Sequence, residues 1–372
     1  MFSLHAAPTA AGVCFQAPRA SGFGVSRPGI HSRLGKCACR QNKNNGGPND
    51  LAPPPSKLKL MLLGDSARQF ERPILDRFPT VETVVVSPRD IGGADLAGVR
   101  CAIGWNFPDG AFANMPDLEW IQSISVGVEN WVYDSNIPPG VVITNAKGLY
   151  SIEVAEYVTW AMLTLFRRFH LAMRNQQKKR WSQQFGHSLA GKTVGIVGMG
   201  HLGQATARNA KALGMRVVGF CRTADDPDAR EVADKLVASS EMHGSLAELD
   251  ALVICLPLTD ETRGMFGRDE IAALKQGAIV INVARDLIVD YDSLLRSIKS
   301  GHIAGAALDV FGKEPLPRRS RLWKEENVLV TPHVAALTKD YKAKVSDLIC
   351  TNLDRFLSGR QLQGMVDRTR GY

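Results

Sequence analysis

The chain has 372 residues, ample for two domains with cores of their own, and a formal net charge of +8. Residues 1–49 hold no Asp or Glu but contain Arg19, Arg27, Arg33, Lys36, Arg40 and Lys43, so the remaining body is close to neutral. That distribution argues against a nucleic-acid partner, which would draw basic charge onto the folded part. The apolar runs are too short and interrupted for a membrane span. The seven cysteines show neither a disulfide framework nor metal-ligand spacing.

Residues 1–56 read as a leader and linker. The leader is rich in Ala, Gly, Pro and Ser and has no long apolar core, as in an organelle transit peptide rather than a secretory signal. The segment Lys36-Cys37-Ala38-Cys39 resembles plastid processing regions, which favours the chloroplast stroma over the mitochondrial matrix. Asn42–Ser56 is polar and Pro-rich, so folded structure is expected from about Lys57.

From there, short apolar runs alternate with helical stretches. Leu58–Gly64, Val81–Ser87, Ala102–Trp105, Ile121–Ser125 and Val141–Asn145 read as strands of a parallel sheet covered by helices. Ser151–Arg168 reads as one long helix, with Val154, Ala155, Val158, Ala161, Met162 and Leu165 at helical spacing. A polar segment, Gln176–Gln184, follows and contains Trp181. A second series of strands is predicted at Thr193–Val197, Arg216–Phe220, Lys235–Val237, Ala251–Leu256, Ala278–Val283, Ala306–Val310 and Asn327–Val330. The tail after Pro332 reads as helical through Phe356. The fold class is therefore α/β, with two Rossmann-like, doubly wound parallel-sheet domains and a cleft between them.

Residues 193–203 read Thr-Val-Gly-Ile-Val-Gly-Met-Gly-His-Leu-Gly. A lone Gly-x-Gly-x-x-Gly is weak evidence. Here an apolar strand precedes it, and the helical stretch Gln204–Leu213 follows, with Gly214 as its stop. In that setting Gly198 serves the tight turn, Gly200 the close approach of a pyrophosphate, and Gly203 the packing of helix on strand. His201 stands either near a phosphate or simply at the surface.

The end of the next strand discriminates between cofactors. NAD sites usually place an acid there for the ribose 2′-hydroxyl. This chain has Gly219-Phe220-Cys221-Arg222-Thr223, with Asp225 and Asp226 only further on. Arg222 suits a 2′-phosphate, and Thr223 can add a hydroxyl donor. NADPH is therefore expected, with NADH possible if Arg222 is only a solvated surface residue.

Three later segments complete a pattern: Asn282–Asp290, Ala307–Pro315 and Thr331-Pro332-His333. Together with the glycine loop they resemble the D-isomer-specific 2-hydroxyacid dehydrogenase family, over about Lys57 to Phe356. Within it the nearest likeness is to the NADPH-dependent glyoxylate and hydroxypyruvate reductases. The resemblance implies a discontinuous substrate-binding domain of residues 57–155 and 332–372, around a nucleotide domain of residues 156–331. It implies Arg285 as the arginine that binds and polarises the 2-oxoacid, His333 as the acid–base, and Glu314 as the orienter of its ring. Trp105, Asn106, Val126 and Gly127 would line the substrate side, although Trp105 also suits simple packing. Val154, Leu202, Leu256, Pro257, Thr262, Val283, Ala284 and Asp309 would complete the cofactor cradle. Asp309 has a competing role in holding its loop.

The implied reaction is reduction of a small 2-oxoacid, glyoxylate or hydroxypyruvate first, to the D-2-hydroxyacid without a metal. Pyruvate as a D-lactate dehydrogenase substrate and 3-phosphoglycerate oxidation are enzymatic alternatives. A cofactor-sensing corepressor is a remote one. The family suggests a homodimer, formed through the nucleotide domain and the helix-plus-arm around Arg168–Trp181. In one respect this chain departs from the family: Asp286 stands where a Gly usually follows the arginine. Its carboxylate either faces solvent, partly neutralises Arg285, or excludes a positive φ.

Overall fold

The computed structural model describes residues 58–372. The leader, the linker and Lys57 lie outside the described residues. Two all-parallel sheets are present.

The first sheet runs β2-β1-β3-β4-β5. Its strands are β1 (Lys59–Leu63), β2 (Glu82–Val86), β3 (Val99–Gly104), β4 (Trp120–Ser123) and β5 (Val142–Thr144). Two short helices, α1 (Gly64–Arg68) and α2 (Glu71–Arg77), cross between β1 and β2. Apart from the edge strand β2, the strands are short and largely buried, so they read as apolar runs rather than alternating ones.

Helix α3 (Ser151–Phe166) leads out of this lobe. Its start, at Tyr150 and Val154, packs in the core of the first lobe. Its later residues, Val158, Ala161, Met162, Leu165 and Phe166, pack in a core of the second. The helix stops before Arg168, whose φ of 56° cannot continue it. A separate helix, α4 (Phe169–Gln177), follows. The pattern had hidden α4, because among its residues only His170 is buried.

The second sheet runs β12-β11-β10-β9-β6-β7-β8. Its strands are β6 (Thr193–Val197), β7 (Arg216–Cys221), β8 (Lys235–Ala238), β9 (Ala251–Ile254), β10 (Ala278–Asn282), β11 (Ile303–Leu308) and β12 (Val328–Val330). Four helices connect them: α5 (His201–Ala212), α6 (Pro227–Val232), α7 (Arg268–Ala273) and α8 (Tyr291–Lys299). The chain leaves β6 for β7 on one side and returns to β9 on the other, a switch point that opens a crevice at the strand ends. Alternation divides the sheet between two cores: Leu252, Ile254 and Val280 face one, and Ala251, Val253 and Ile279 the other.

Several strand ends differ from the pattern. β10 stops at Asn282 because that side chain accepts from the Ala284 amide at 3.0 Å and turns the chain. β11 begins at Ile303, earlier than expected. Gly305 lets it pass close to the carbonyl of Asn327, where a Cβ would sit 2.7 Å away. The tail is not helical directly after Pro332. Helix α9 spans Tyr341–Leu357, and turns precede it. The amides of Val334 and Ala335 are taken by the Asp309 carboxylate instead of a helical ladder. α9 returns to the first lobe, where Val345, Ile349, Leu353 and Phe356 join its core. Phe356 stacks on Trp120 at 5.5 Å.

Candidate active site

Both sheets present the C-terminal ends of their strands to a shared crevice, where open α/β sheets place ligands. On the nucleotide side, the three loop glycines have three separate environments. Gly198 has φ +96°, and a Cβ there would lie 2.6 Å from the Cys255 carbonyl oxygen. A Cβ on Gly203 would collide with the Gly198 carbonyl oxygen, so α5 can sit against β6 only without a side chain. At Gly200 a Cβ would meet nothing within 4 Å. That open face lies at the N-terminus of α5, where free amides and the helix dipole favour a phosphate. The loop thus fits the pyrophosphate of a dinucleotide. Leu202 lies in the first turn of α5 and packs against the first-lobe core. His201 is exposed, and its ring lies against Gly148 of the first lobe, where a Cβ would be 3.3 Å from it.

At the end of β7, Arg222 and Thr223 are exposed. The two acids that follow are engaged locally. Asp225 pairs with Arg230 at 2.7 Å, and Asp226 caps α6 by accepting from the amides of Asp228 and Ala229. Cys221 is no substitute, since burial pushes its thiol pKa up. In the loop after β9, the Thr262 hydroxyl donates to the Pro257 carbonyl at 2.7 Å and accepts from the Thr259 amide at 2.8 Å. Thr262 is buried, and its hydroxyl closes this loop. The Leu256 side chain lies beside Gly198.

The substrate side is built on Arg285, which follows β10. Its Nε donates to the Glu129 carboxylate of the first lobe, and its Nη1 donates to the Ala284 carbonyl at 2.8 Å. Its Nη2 lies against Gly127, where any Cβ would overlap the guanidinium. Gly127 therefore admits the arginine of the opposite lobe as well as leaving its own backbone open. The Asn145 amide holds this loop by donating to the Val126 carbonyl at 2.7 Å. Asn282 and Tyr291 brace the arginine from below. Asn282 donates to the Arg285 carbonyl at 2.9 Å and to the Tyr291 hydroxyl at 3.0 Å, and Tyr291 donates to Val310.

His333 has φ 53°, and its Nδ1 donates to Glu314 Oε2 at 2.9 Å. The other Glu314 oxygen accepts from the Phe311 amide at 2.9 Å, so the carboxylate is held at both ends. Nε2 of the imidazole is left to meet a ligand. Asp309 is 2% exposed and accepts from the Thr331 hydroxyl, the Val334 amide and the Ala335 amide. Tyr157 extends the chain, donating to Thr331 at 2.7 Å. Asp309, expected among the cofactor contacts, thus commits both oxygens to the loop that carries His333. Val154, also expected there, is buried in the first-lobe core. Val283 is half-buried between the cores of both lobes, and Ala284 is buried. Trp105 is 56% exposed and Val126 46%, and Asn106 is also exposed. Simple packing does not account for Trp105.

Asp286 adopts no positive φ, so the absence of Gly imposes no backbone strain. Its carboxyl is directed at Gly312, where a Cβ would lie 2.5 Å from Oδ2. Burial, with the Glu314 charge added, raises its pKa above the ordinary carboxylate value, against the pull of nearby amides and of Arg285. Asp286 therefore neither faces open solvent nor pairs with Arg285. Glu129, Asn145, Asn282 and Tyr291 had no role in the sequence reading. The position of Glu129, two residues after Gly127, was the one available signal.

The comparisons with known proteins agree with this geometry. Residues 159–335 match the model of the D-isomer specific 2-hydroxyacid dehydrogenase NAD binding domain. A glyoxylate reductase of Thermococcus gammatolerans is 32% identical over 266 residues, covering 69% of this chain and 78% of that protein. A D-3-phosphoglycerate dehydrogenase of Archaeoglobus fulgidus is 34% identical, over 68% of this chain but only 47% of that longer protein. Among solved structures, a family member from Xanthobacter autotrophicus in complex with NADPH and MES is similar, with TM-score 0.75 and 32% identity, over 86% of this chain and 100% of that one. An NADPH-dependent glyoxylate/hydroxypyruvate reductase from Sinorhizobium meliloti, in complex with NADP and sulfate, gives TM-score 0.73 and 30% identity, over 86% of this chain and 100% of that one.

The chain belongs to the D-isomer specific 2-hydroxyacid dehydrogenase family. It is an NAD(P)-dependent oxidoreductase acting on a small 2-oxoacid and its 2-hydroxyacid. Among the described residues, no group of three or more potential metal ligands occurs, and no helix is long and apolar enough to cross a membrane.

Proposed function

We propose that the protein reduces glyoxylate or hydroxypyruvate to the corresponding 2-hydroxyacid, of D configuration where a stereocentre forms, and uses NADPH in preference to NADH. The observation that carries the cofactor preference is the end of β7. Arg222 stands exposed there, makes no side-chain hydrogen bond or ion pair among the described residues and feels the charge of Glu261, while Asp225 and Asp226 are occupied elsewhere. A guanidinium free to form a fork suits a 2′-phosphate and gains little from a ribose hydroxyl. The relatives named as glyoxylate reductases, and the similar structure solved with NADP, support the same substrate and cofactor.

NADPH, when bound along Gly198–Gly203 and Arg222, supplies the hydride for the substrate carbonyl carbon. The remaining work falls to side chains. Arg285 binds the carboxylate and carbonyl oxygens and stabilises the negative charge that grows on the carbonyl. Gly127 and its neighbouring amides receive the carboxylate from the other lobe. His333 delivers a proton from Nε2 to the new alkoxide, and Glu314 holds Nδ1–H and so orients the ring. Asp309 keeps the His333 loop in register. Approach of the two lobes excludes water and aligns the groups.

The helix-plus-arm from Arg168 to Trp181 is proposed as the homodimer contact. Trp181 is 95% exposed, Phe185 88% and Met173 61%, large apolar side chains that burial against a partner subunit would remove from water. Residues 1–56 are proposed to direct the protein to an organelle, the chloroplast stroma rather than the mitochondrion.

A kinetic panel tests the central reading. Glyoxylate, hydroxypyruvate, pyruvate, 2-oxobutyrate and 3-phosphohydroxypyruvate are each assayed with NADPH and NADH. The expected result is the highest kcat/KM for glyoxylate or hydroxypyruvate with NADPH. Arg222→Asp should weaken NADPH use by about tenfold or more and spare NADH. A wild-type preference for NADH, or for pyruvate or the phosphorylated acid, would overturn the corresponding part.

A further inference from the structure

We propose that Glu129 is a positioning residue that orients the Arg285 guanidinium for substrate. This rests on the reading of Arg285 as the substrate-binding arginine. Glu129 lies in the first lobe, after β4, and Arg285 in the second, after β10, 156 residues away in sequence. Their side chains are 18% and 28% exposed, and they meet over Gly127. A Cβ on Gly127 would lie 2.6 Å from Glu129 Oε2 and would overlap Arg285 Nη2. Both charged groups therefore lie flat against the one residue that has no side chain.

The donor arrangement explains what the pair does. A guanidinium carries five N–H donors: one on Nε and two on each Nη. Glu129 takes the Nε donor, and the Ala284 carbonyl takes one on Nη1. The second Nη1 donor and both Nη2 donors remain. One N–H of each Nη forms the outer edge of the fork, the edge that binds a carboxylate and carbonyl together, and the other Nη2 N–H lies on the Nε side beside Glu129. Glu129 thus occupies the inner edge and turns the outer one toward the crevice. Without it, a flexible side chain would settle its own orientation at an entropic cost.

The same pair links orientation to lobe approach. Each partner belongs to a different lobe, so Arg285 takes this pose only when the lobes are together. The pairing also limits charge. Asp286 already places a carboxyl near the arginine, and Glu129 balances its charge directly. Attraction for the anionic substrate is then modest, and correct orientation matters more than raw potential.

Two substitutions separate these effects. Glu129→Gln keeps an acceptor oxygen for Nε and removes the charge. Glu129→Ala removes both. Steady-state reduction of the best acid from the panel, with saturating NADPH, is measured beside calorimetric binding of oxamate, a non-reducible 2-oxoacid isostere, to the NADPH complex. NADPH titration and thermal melting confirm an intact fold. Glu129→Ala should lower kcat/KM by about tenfold or more, with kcat itself falling, and should weaken oxamate binding. Glu129→Gln should hold kcat within about threefold of wild type and lower KM, because the arginine stays oriented and gains net charge. A purely structural role would lower stability and leave kcat per folded site unchanged.

Wild-type kinetics from folded Glu129→Ala would overturn the proposal, as would a kcat loss in Glu129→Gln equal to that of Ala. Arg285→Ala is run in parallel. If it is inactive while Glu129→Ala is normal, only the positioning role falls. If Arg285→Ala is itself fully active, the reading of the arginine falls, and this inference with it.

Discussion

The two walls of the crevice are made differently. The cofactor wall is mostly backbone: three glycines and the start of α5 shape it, and its fit depends on side chains that are absent. The substrate wall consists of side chains held by specific polar contacts: the Arg285 guanidinium by Glu129 and the Ala284 carbonyl, the Arg285 backbone by Asn282, His333 by Glu314, and the His333 loop by Asp309. The difference follows the task. A pyrophosphate is common to every dinucleotide and can be bound by amides, whereas a reacting carbonyl needs a cation and a proton placed within fractions of an ångström.

The sharpest break in that contrast is expected at the acid–base residue. His333→Ala should lower kcat by about 10²–10⁴-fold while NADPH binding, followed by fluorescence titration, stays unchanged. Parallel loss of NADPH affinity would mean that the two walls are not separable in this way.

On the other wall, two glycine substitutions should behave in opposite ways. Gly203→Ala forces a methyl group into the Gly198 carbonyl and should cost about 1–3 kcal/mol or more in stability, read from chemical denaturation. Gly200→Ala meets no protein atom, so its melting temperature should match wild type. Its NADPH affinity should nevertheless drop, because the methyl group occupies the face offered to the pyrophosphate. Equal stability losses in both would remove the distinction between packing and ligand glycines.

The smallest expected effect concerns Asp286. Burial and the Glu314 charge raise its folded-state pKa above the ordinary value. The native state then holds the proton more tightly than the unfolded chain, so stability is lost as pH rises from the ordinary carboxylate pKa through the raised one. Asp286→Asn should therefore melt higher than wild type at pH 7, and the gap should close when the pH falls below about 3.9. A gap that persists unchanged in acid would show that ionisation of Asp286 is not its cause, and one that widens would show that the carboxylate is a net stabiliser.

Much of this protein was legible from local pattern. The glycine loop between an apolar strand and a helix, the apolar strands, and the segments around Arg285, Glu314 and His333 are short-range signals, because each is set by the φ/ψ or burial needs of neighbouring residues. Local pattern failed where a distant partner decides the outcome. α4 buries too little to show a periodic stripe, and the residues after His333 look helical until the Asp309 carboxylate claims their amides.

What the sequence by itself determined is the α/β class, the dinucleotide loop, the family, and the residue types available for 2-oxoacid chemistry. Only the tertiary structure decided that Asp309 and Thr262 serve their loops, that Asp286 is directed at Gly312, and that Gly127 seats the arginine of the other lobe. The physical reason is separation along the chain. Glu129 and Arg285 are 156 residues apart, and a charge pair at that distance leaves no periodicity to read. It exists only once two sheets, each specified by its own hydrophobic pattern, have brought their strand ends to the same crevice.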